Sequence, residues 1–236
     1  DNNTMENEFL KVSFSESGTI GILDKENGRE IFKGGETGCR ALIIDDPSDT
    51  WSHDIKSFSK EIGSFTNPSI IILENGPLRS IVRVKTSYGS STLTTDWILY
   101  SDARSVESKV SINWNEQLKM VKFSFPVNVE SPVATYETPY GFIKRNANGD
   151  EDPGQRWIDV TGLSKGVQYG LTVINDAKYG YSIQGNDMRI SVIRSAVYAH
   201  HNPRILDLKE EHIWQDQGIH TFRMMLTPHM EDWQKS

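Results

Sequence analysis

One pattern constrains this chain more than any other: apolar and polar residues alternate in short runs, and each run is cut off by a turn cluster. Phe9, Val12 and Phe14 lead into Ser15-Glu-Ser-Gly18, then Ile20, Ile22 and Leu23 lead into Lys25-Glu-Asn-Gly28. A period of two places alternate side chains on opposite faces of a strand, so these residues predict a β-meander. Further strands are predicted over 69–73, 79–86, 91–100, 106–113, 121–129, 168–174, 179–184, 188–193 and 220–227, with turns such as Asn75-Gly-Pro77 and Tyr88-Gly-Ser-Ser91 between them. No stretch keeps a helical period over three turns, and no repeat of fixed length is present. The pattern predicts an all-β fold, a large antiparallel two-sheet β-sandwich, with residues 1–236 as one domain.

A chain of 236 residues buries a core of its own without staples. Its single cysteine, Cys39, has no intramolecular partner, which favours a reducing, cytoplasmic setting. The net charge of −7, with no basic run against it, disfavours nucleic acid as a partner. Apolar runs such as Ser69–Leu73 fall far short of the roughly 20 residues a membrane helix needs. The opening at Asp1, with the first methionine at Met5, reads as a piece of a longer product.

Two segments interrupt the strands. Asp45-Asp-Pro-Ser-Asp-Thr-Trp-Ser-His-Asp54 sets the carboxylates Asp45, Asp46, Asp49 and Asp54 around Trp51 and His53. Sugars are held by such sets, an aromatic face against C–H groups and polar side chains on the hydroxyls. The same residues also describe a solvated turn, with Asp and Ser capping amides and Trp51 tucked into the core edge. The second segment, 138–159, is rich in Gly, Pro, Asn and Asp and reads as a long loop.

A glycosidase needs two facing carboxyls, about 5–5.5 Å apart for retention or about 6.5–9.5 Å for inversion. Glu130, Glu137, Glu151 and Asp152 are candidates by elimination, with solvated loop charge as the simpler reading. The histidines at 53, 200, 201, 212, 220 and 229 lack the spacing of a zinc signature, and no metal site is predicted in this chain. Glycine-rich phosphate loops and nucleophile elbows are likewise missing from the sequence. Arg194 ends the 188–193 strand, just before a loop running to Pro203. Its fork of donors suits a carboxylate or a sugar hydroxyl, and equally a surface ion pair.

A resemblance extends this reading. Leu73-Glu-Asn-Gly-Pro-Leu-Arg79, Val110-Ser-Ile-Asn-Trp-Asn-Glu116, Leu118-Lys-Met-Val-Lys-Phe-Ser-Phe-Pro126 and Ala134-Thr-Tyr-Glu-Thr-Pro-Tyr-Gly-Phe-Ile-Lys-Arg145 are followed, in order, by Gln155-Arg-Trp-Ile-Asp159, Asn175-Asp-Ala-Lys-Tyr-Gly-Tyr181, Arg194-Ser195, Gly218-Ile-His-Thr-Phe222 and Leu226-Thr-Pro-His229. Together these blocks resemble the C-terminal β-domain of glycoside hydrolase family 38 α-mannosidases of bacterial type.

The resemblance implies a galactose-mutarotase-like supersandwich. It implies retaining hydrolysis of terminal α-linked mannose, with the nucleophilic aspartate and a zinc ion in an N-terminal α/β domain, followed by a helical bundle, neither of which this chain contains. The partners implied are a mannose-containing oligosaccharide and that catalytic domain. By family pattern Trp51 and Arg194 fall where an aromatic and an arginine face the sugar, with Asp49 and His53 beside them. The loop carries Trp and His where the family's animal members carry Tyr. Two other readings stay open: a stand-alone carbohydrate-binding module, and an aldose mutarotase or hexose-6-phosphate epimerase working by general acid–base ring opening.

Overall fold

The computed structural model describes residues 3–35, 37–202 and 206–235. The chain starts with the predicted meander, β1 (Thr4–Glu6), β2 (Leu10–Phe14), β3 (Ile20–Asp24) and β4 (Arg29–Glu30), which forms a four-stranded antiparallel sheet. β5 (Arg40–Asp45) and β6 (Glu61–Ser64) begin a second sheet. β7 (Thr66–Asn75), β8 (Arg79–Tyr88), β9 (Ser91–Tyr100) and β10 (Val106–Trp114) then run up and down in a third. β11 (Lys119–Pro126) returns to the second sheet, and β12 (Glu130–Thr138) and β13 (Gly141–Arg145) form a hairpin at the far edge of the third. The remaining strands alternate between the two: β14 (Asp152–Pro153), β15 (Trp157–Ser164), β16 (Val167–Asn175), β17 (Gly180–Gln184), β18 (Asp187–Arg194) and β19 (Gly218–Met230). A short 3-10 turn, Trp233–Lys235, follows.

The third sheet has nine strands, in the order β13-β12-β15-β16-β19-β10-β9-β8-β7, and the second has six, β14-β17-β18-β11-β5-β6. Their apolar faces meet in one core, where Phe123 of β11 lies 6.0 Å from Phe222 of β19 and Tyr136 of β12 lies 6.2 Å from Tyr181 of β17. Burying these faces is the main favourable term in such a fold. The two-sheet expectation therefore needs a third member. Among the named strands β1 to β4 pair with one another, and they place Leu10, Val12, Phe14, Ile20 and Ile22 on the same core. Tyr169 of β16 donates a 2.7 Å hydrogen bond to the buried Asp24 carboxylate, which ties the small sheet to the large one.

The 138–159 segment is corrected by the structure. It contains β13, β14 and the start of β15 rather than one long loop. β5 is a strand that alternation could not reveal. Ala41 and Ile43 face the main core, while Leu42 and Ile44 pack with Met120 beneath Phe58, so the run is apolar on both faces.

A candidate sugar-facing loop at the end of β5

β5 ends at Asp45, and the loop that follows closes on itself before β6. The Asp45 amide donates to the Lys60 carbonyl at 2.9 Å, and the Lys60 ammonium meets the Asp45 carboxylate at 2.7 Å. Inside that closure Asp46 is fully buried, and this is affordable because Arg194, at the end of β18, reaches it from the neighbouring elements. Arg194 Nε donates to Asp46 Oδ2 at 2.5 Å, Nη1 to the Thr50 carbonyl at 2.8 Å, and Nη2 to Ser48 Oγ at 2.8 Å and the Asp49 carbonyl at 2.6 Å. The planar guanidinium thereby fixes four of the five residues 46–50, all but Pro47. Thr50 fastens the loop to the segment after β18: its hydroxyl donates to the Val197 carbonyl and accepts from the His200 amide, while its own amide donates to the His200 carbonyl.

Asp49 organises the tip. It is buried, and its Oδ1 accepts from the amides of Trp51 at 3.0 Å and His53 at 3.2 Å, while Oδ2 meets His53 Nδ1 at 2.6 Å. Burial works to raise this carboxyl, but the bonds from the His53 ring and from the two amides outweigh it and hold it below the usual carboxylate range. Ser52 and Asp54 adopt positive φ, 54° and 64°, in the turn this capping creates.

The result is an indole held out from a rigid base. Trp51 is 57% exposed rather than tucked into the core edge. Its ring meets that of His201 edge-on at 5.2 Å, and the His53 and His201 rings lie 5.7 Å apart. His200 turns the other way, with its ring 6.2 Å from His212. The loop running from Ser195 reaches Pro203 beyond the described residues.

Under the loop lies an unforeseen support. Lys122 of β11 is fully buried, and its ammonium donates to Glu151 Oε2 at 2.5 Å and to Ser182 Oγ at 2.8 Å. Burial pushes this ammonium down, with Glu151 pulling the other way. The Glu151 amide donates to the Lys56 carbonyl at 2.7 Å, and Phe58 lies 5.4 Å from the Arg194 guanidinium and 5.9 Å from the Lys122 ammonium. A lysine inside the run Met120-Val-Lys-Phe123 reads as the solvent side of a strand, so no local signal marks it as buried.

The other carboxylates do not converge. Glu151 is taken by Lys122, Asp152 lies 3.8 Å from Arg145, Glu137 accepts from the Arg156 amide, and Glu130 is exposed. Among the described residues no group of three or more His, Cys, Asp or Glu is placed to hold a metal ion. A buried pair that the sequence did not single out is His229 with Asp159, at 2.8 Å on the nine-stranded sheet, with side chains 1% and 0% exposed.

A supersandwich of galactose-mutarotase type, with one aromatic loop built up at the end of β5, defines the class of this protein. An aldose 1-epimerase-like structure from Escherichia coli K12 superposes on it with a TM-score of 0.54 at 10% identity, covering 97% of this chain and 99% of that one. The family follows from the sequence: the model of the "Glycosyl hydrolases family 38 C-terminal domain" matches residues 5–202, and the chain belongs to that family. Alpha-mannosidase G of Dictyostelium discoideum is 28% identical over 243 residues, 95% of this chain and 21% of that protein. An alpha-mannosidase of Saccharomyces cerevisiae is 35% identical over 135 residues, 52% of this chain and 11% of that protein. A family 38 glycosyl hydrolase of Enterococcus faecalis shares the fold with a TM-score of 0.80 at 16% identity, over 99% of this chain and 31% of that one. The chain thus spans about a fifth of the length of relatives such as Alpha-mannosidase G.

Proposed function

We propose that this chain is the C-terminal part of a retaining α-mannosidase that removes terminal α-linked mannose in the cytoplasm, and that the 45–54 loop forms one wall of its sugar pocket. Trp51 is the platform for the C–H face of the sugar, and His53 is the polar partner beside it. Asp49 and Arg194 act through the loop, as positioning residues. The nucleophile and the zinc belong to the catalytic domain that precedes this chain, and that domain and a mannose-containing oligosaccharide are its partners.

The observation that carries this reading is the exposed Trp51 indole on a base whose polar groups are bonded within the chain. Fixing an aromatic in advance reduces the ordering cost of binding. A mutarotase reading requires a histidine and a carboxylate open to a sugar, and the His229–Asp159 pair is closed to solvent.

The test is hydrolysis of an aryl α-mannoside with added zinc. The full-length protein should turn it over and this chain alone should not. Trp51→Ala in the full-length protein should raise KM more than it lowers kcat. Turnover by the chain alone, or unchanged kinetics in the variant, would sink the proposal.

A further inference from the structure

At the Arg40 end of β5 the sheets part around a cavity of about 350 Å³. Its floor is the inner face of β8 and β9, where Val84, Thr86, Leu93, Thr95 and Trp97 stand side by side. Phe65, between β6 and β7, closes one flank. The Ser15–Gly18 turn comes down over it so closely that a Cβ on Gly18 would lie 3.1 Å from both Thr86 Cγ2 and Pro68 Cβ.

Two hydroxyls on this floor have no partner in the protein among the described residues. Thr86 and Thr95 are 7% and 5% exposed, both line the cavity, and neither hydroxyl has a hydrogen-bond partner among the described residues. Neither is among the hydroxyls sealed from solvent. Water takes their bonds when the cavity is empty, and a ligand hydroxyl can take its place.

The charges at the rim narrow the choice of ligand. The Arg40 guanidinium is held by Glu61 at 3.1 Å, and Glu16 stands exposed at the mouth, so an anion meets no free cation and one carboxylate. Burial pushes the Cys39 thiol up, which keeps it neutral. What remains is neutral: hydroxyls that both donate and accept, beside two aromatic rings and aliphatic wall. Water satisfies the hydroxyls but leaves the apolar wall wetted.

We propose that this cavity binds a small uncharged polyol the size of one sugar ring, with Thr86 and Thr95 hydrogen-bonded to its hydroxyls and Trp97 and Phe65 against its C–H surface. Its volume falls in the range of small-ligand sites, about 300–1,000 Å³. The site is separate from the 45–54 loop, because the length of β5, about 17 Å, lies between them.

The experiment is a titration of this chain, labelled at threonine methyls, with D-mannose, myo-inositol and glycerol. At least one should give saturable shifts at Thr86 and Thr95 in the millimolar range. Thr95→Val, read at Thr86, and Thr86→Val, read at Thr95, should each weaken binding about tenfold, while Trp51→Ala leaves it unchanged. Valine matches threonine in shape and these hydroxyls hold nothing in place, so the variants keep their fold, and the remaining methyl signals report it. The absence of saturable shifts with all three probes, shifts unaltered in both valine variants, or shifts lost in Trp51→Ala would overturn the proposal.

Discussion

The two ends of β5 solve the problem of buried polarity in opposite ways. At the Asp45 end, the Asp46 carboxylate, the Ser48 hydroxyl and the Asp49 and Thr50 carbonyls are drawn into one bonded set around Arg194, and the Trp51 ring is presented outward. At the Arg40 end, the hydroxyls of two threonines on the cavity floor have no protein partner among the described residues and are not sealed from solvent. A satisfied network fixes a shape, whereas an unsatisfied one waits for a partner. The first end is suited to hold a platform rigid, and the second to enclose something small.

The largest effect that bears on this contrast is expected from Arg194→Ala. It removes the donors from four acceptor residues and leaves Asp46 buried without a counter-charge. Urea unfolding should show a loss of about 3–5 kcal/mol. A loss below about 1 kcal/mol, the level of an exposed pair, would mean that the loop is held by something else.

A smaller effect is expected at the other end from Gly18→Ala. Gly18 has φ of 80°, and the added methyl would press on Thr86 and Pro68. The cost should be about 1–2 kcal/mol, read as a lower Tm. An unchanged Tm would show that the turn can lift away from the cavity.

The smallest effect depends on pH. Because the Asp49 carboxyl is held below its ordinary value in the folded chain, its contribution to stability is present above the unfolded value of about 3.9 and is lost as pH falls through the lowered folded value. Asp49→Asn should therefore flatten the acid limb of the stability curve below about pH 4. An acid limb identical in the variant would remove Asp49 from the account of the loop.

Much of the fold was legible along the chain. β2, β9 and β10 follow from alternation and turn residues, because one face of each is core and the other is less buried. β5 escaped because both of its faces are covered, which erases the alternation. β12, β13 and β15 escaped because the Gly, Pro and Asn between them outweighed short strand signals. At the candidate site, composition marked Trp51, His53 and Asp49, and position marked Arg194. Nothing local could show that Arg194 spends its donors on Asp46 and Asp49 rather than facing outward, since those partners lie 148 and 145 residues away.

The sequence by itself determined that this protein is all-β, acidic and of glycoside hydrolase family 38 type, because period, charge and ordered motifs are local properties of a chain. Only the tertiary structure decided which polar groups are satisfied. It buried Lys122 against Glu151, closed His229 onto Asp159, and left the hydroxyls of Thr86 and Thr95 open to a cavity. Each of those outcomes depends on strands distant in sequence arriving on one face. The desolvation that makes a polar group costly or useful arises only when they do.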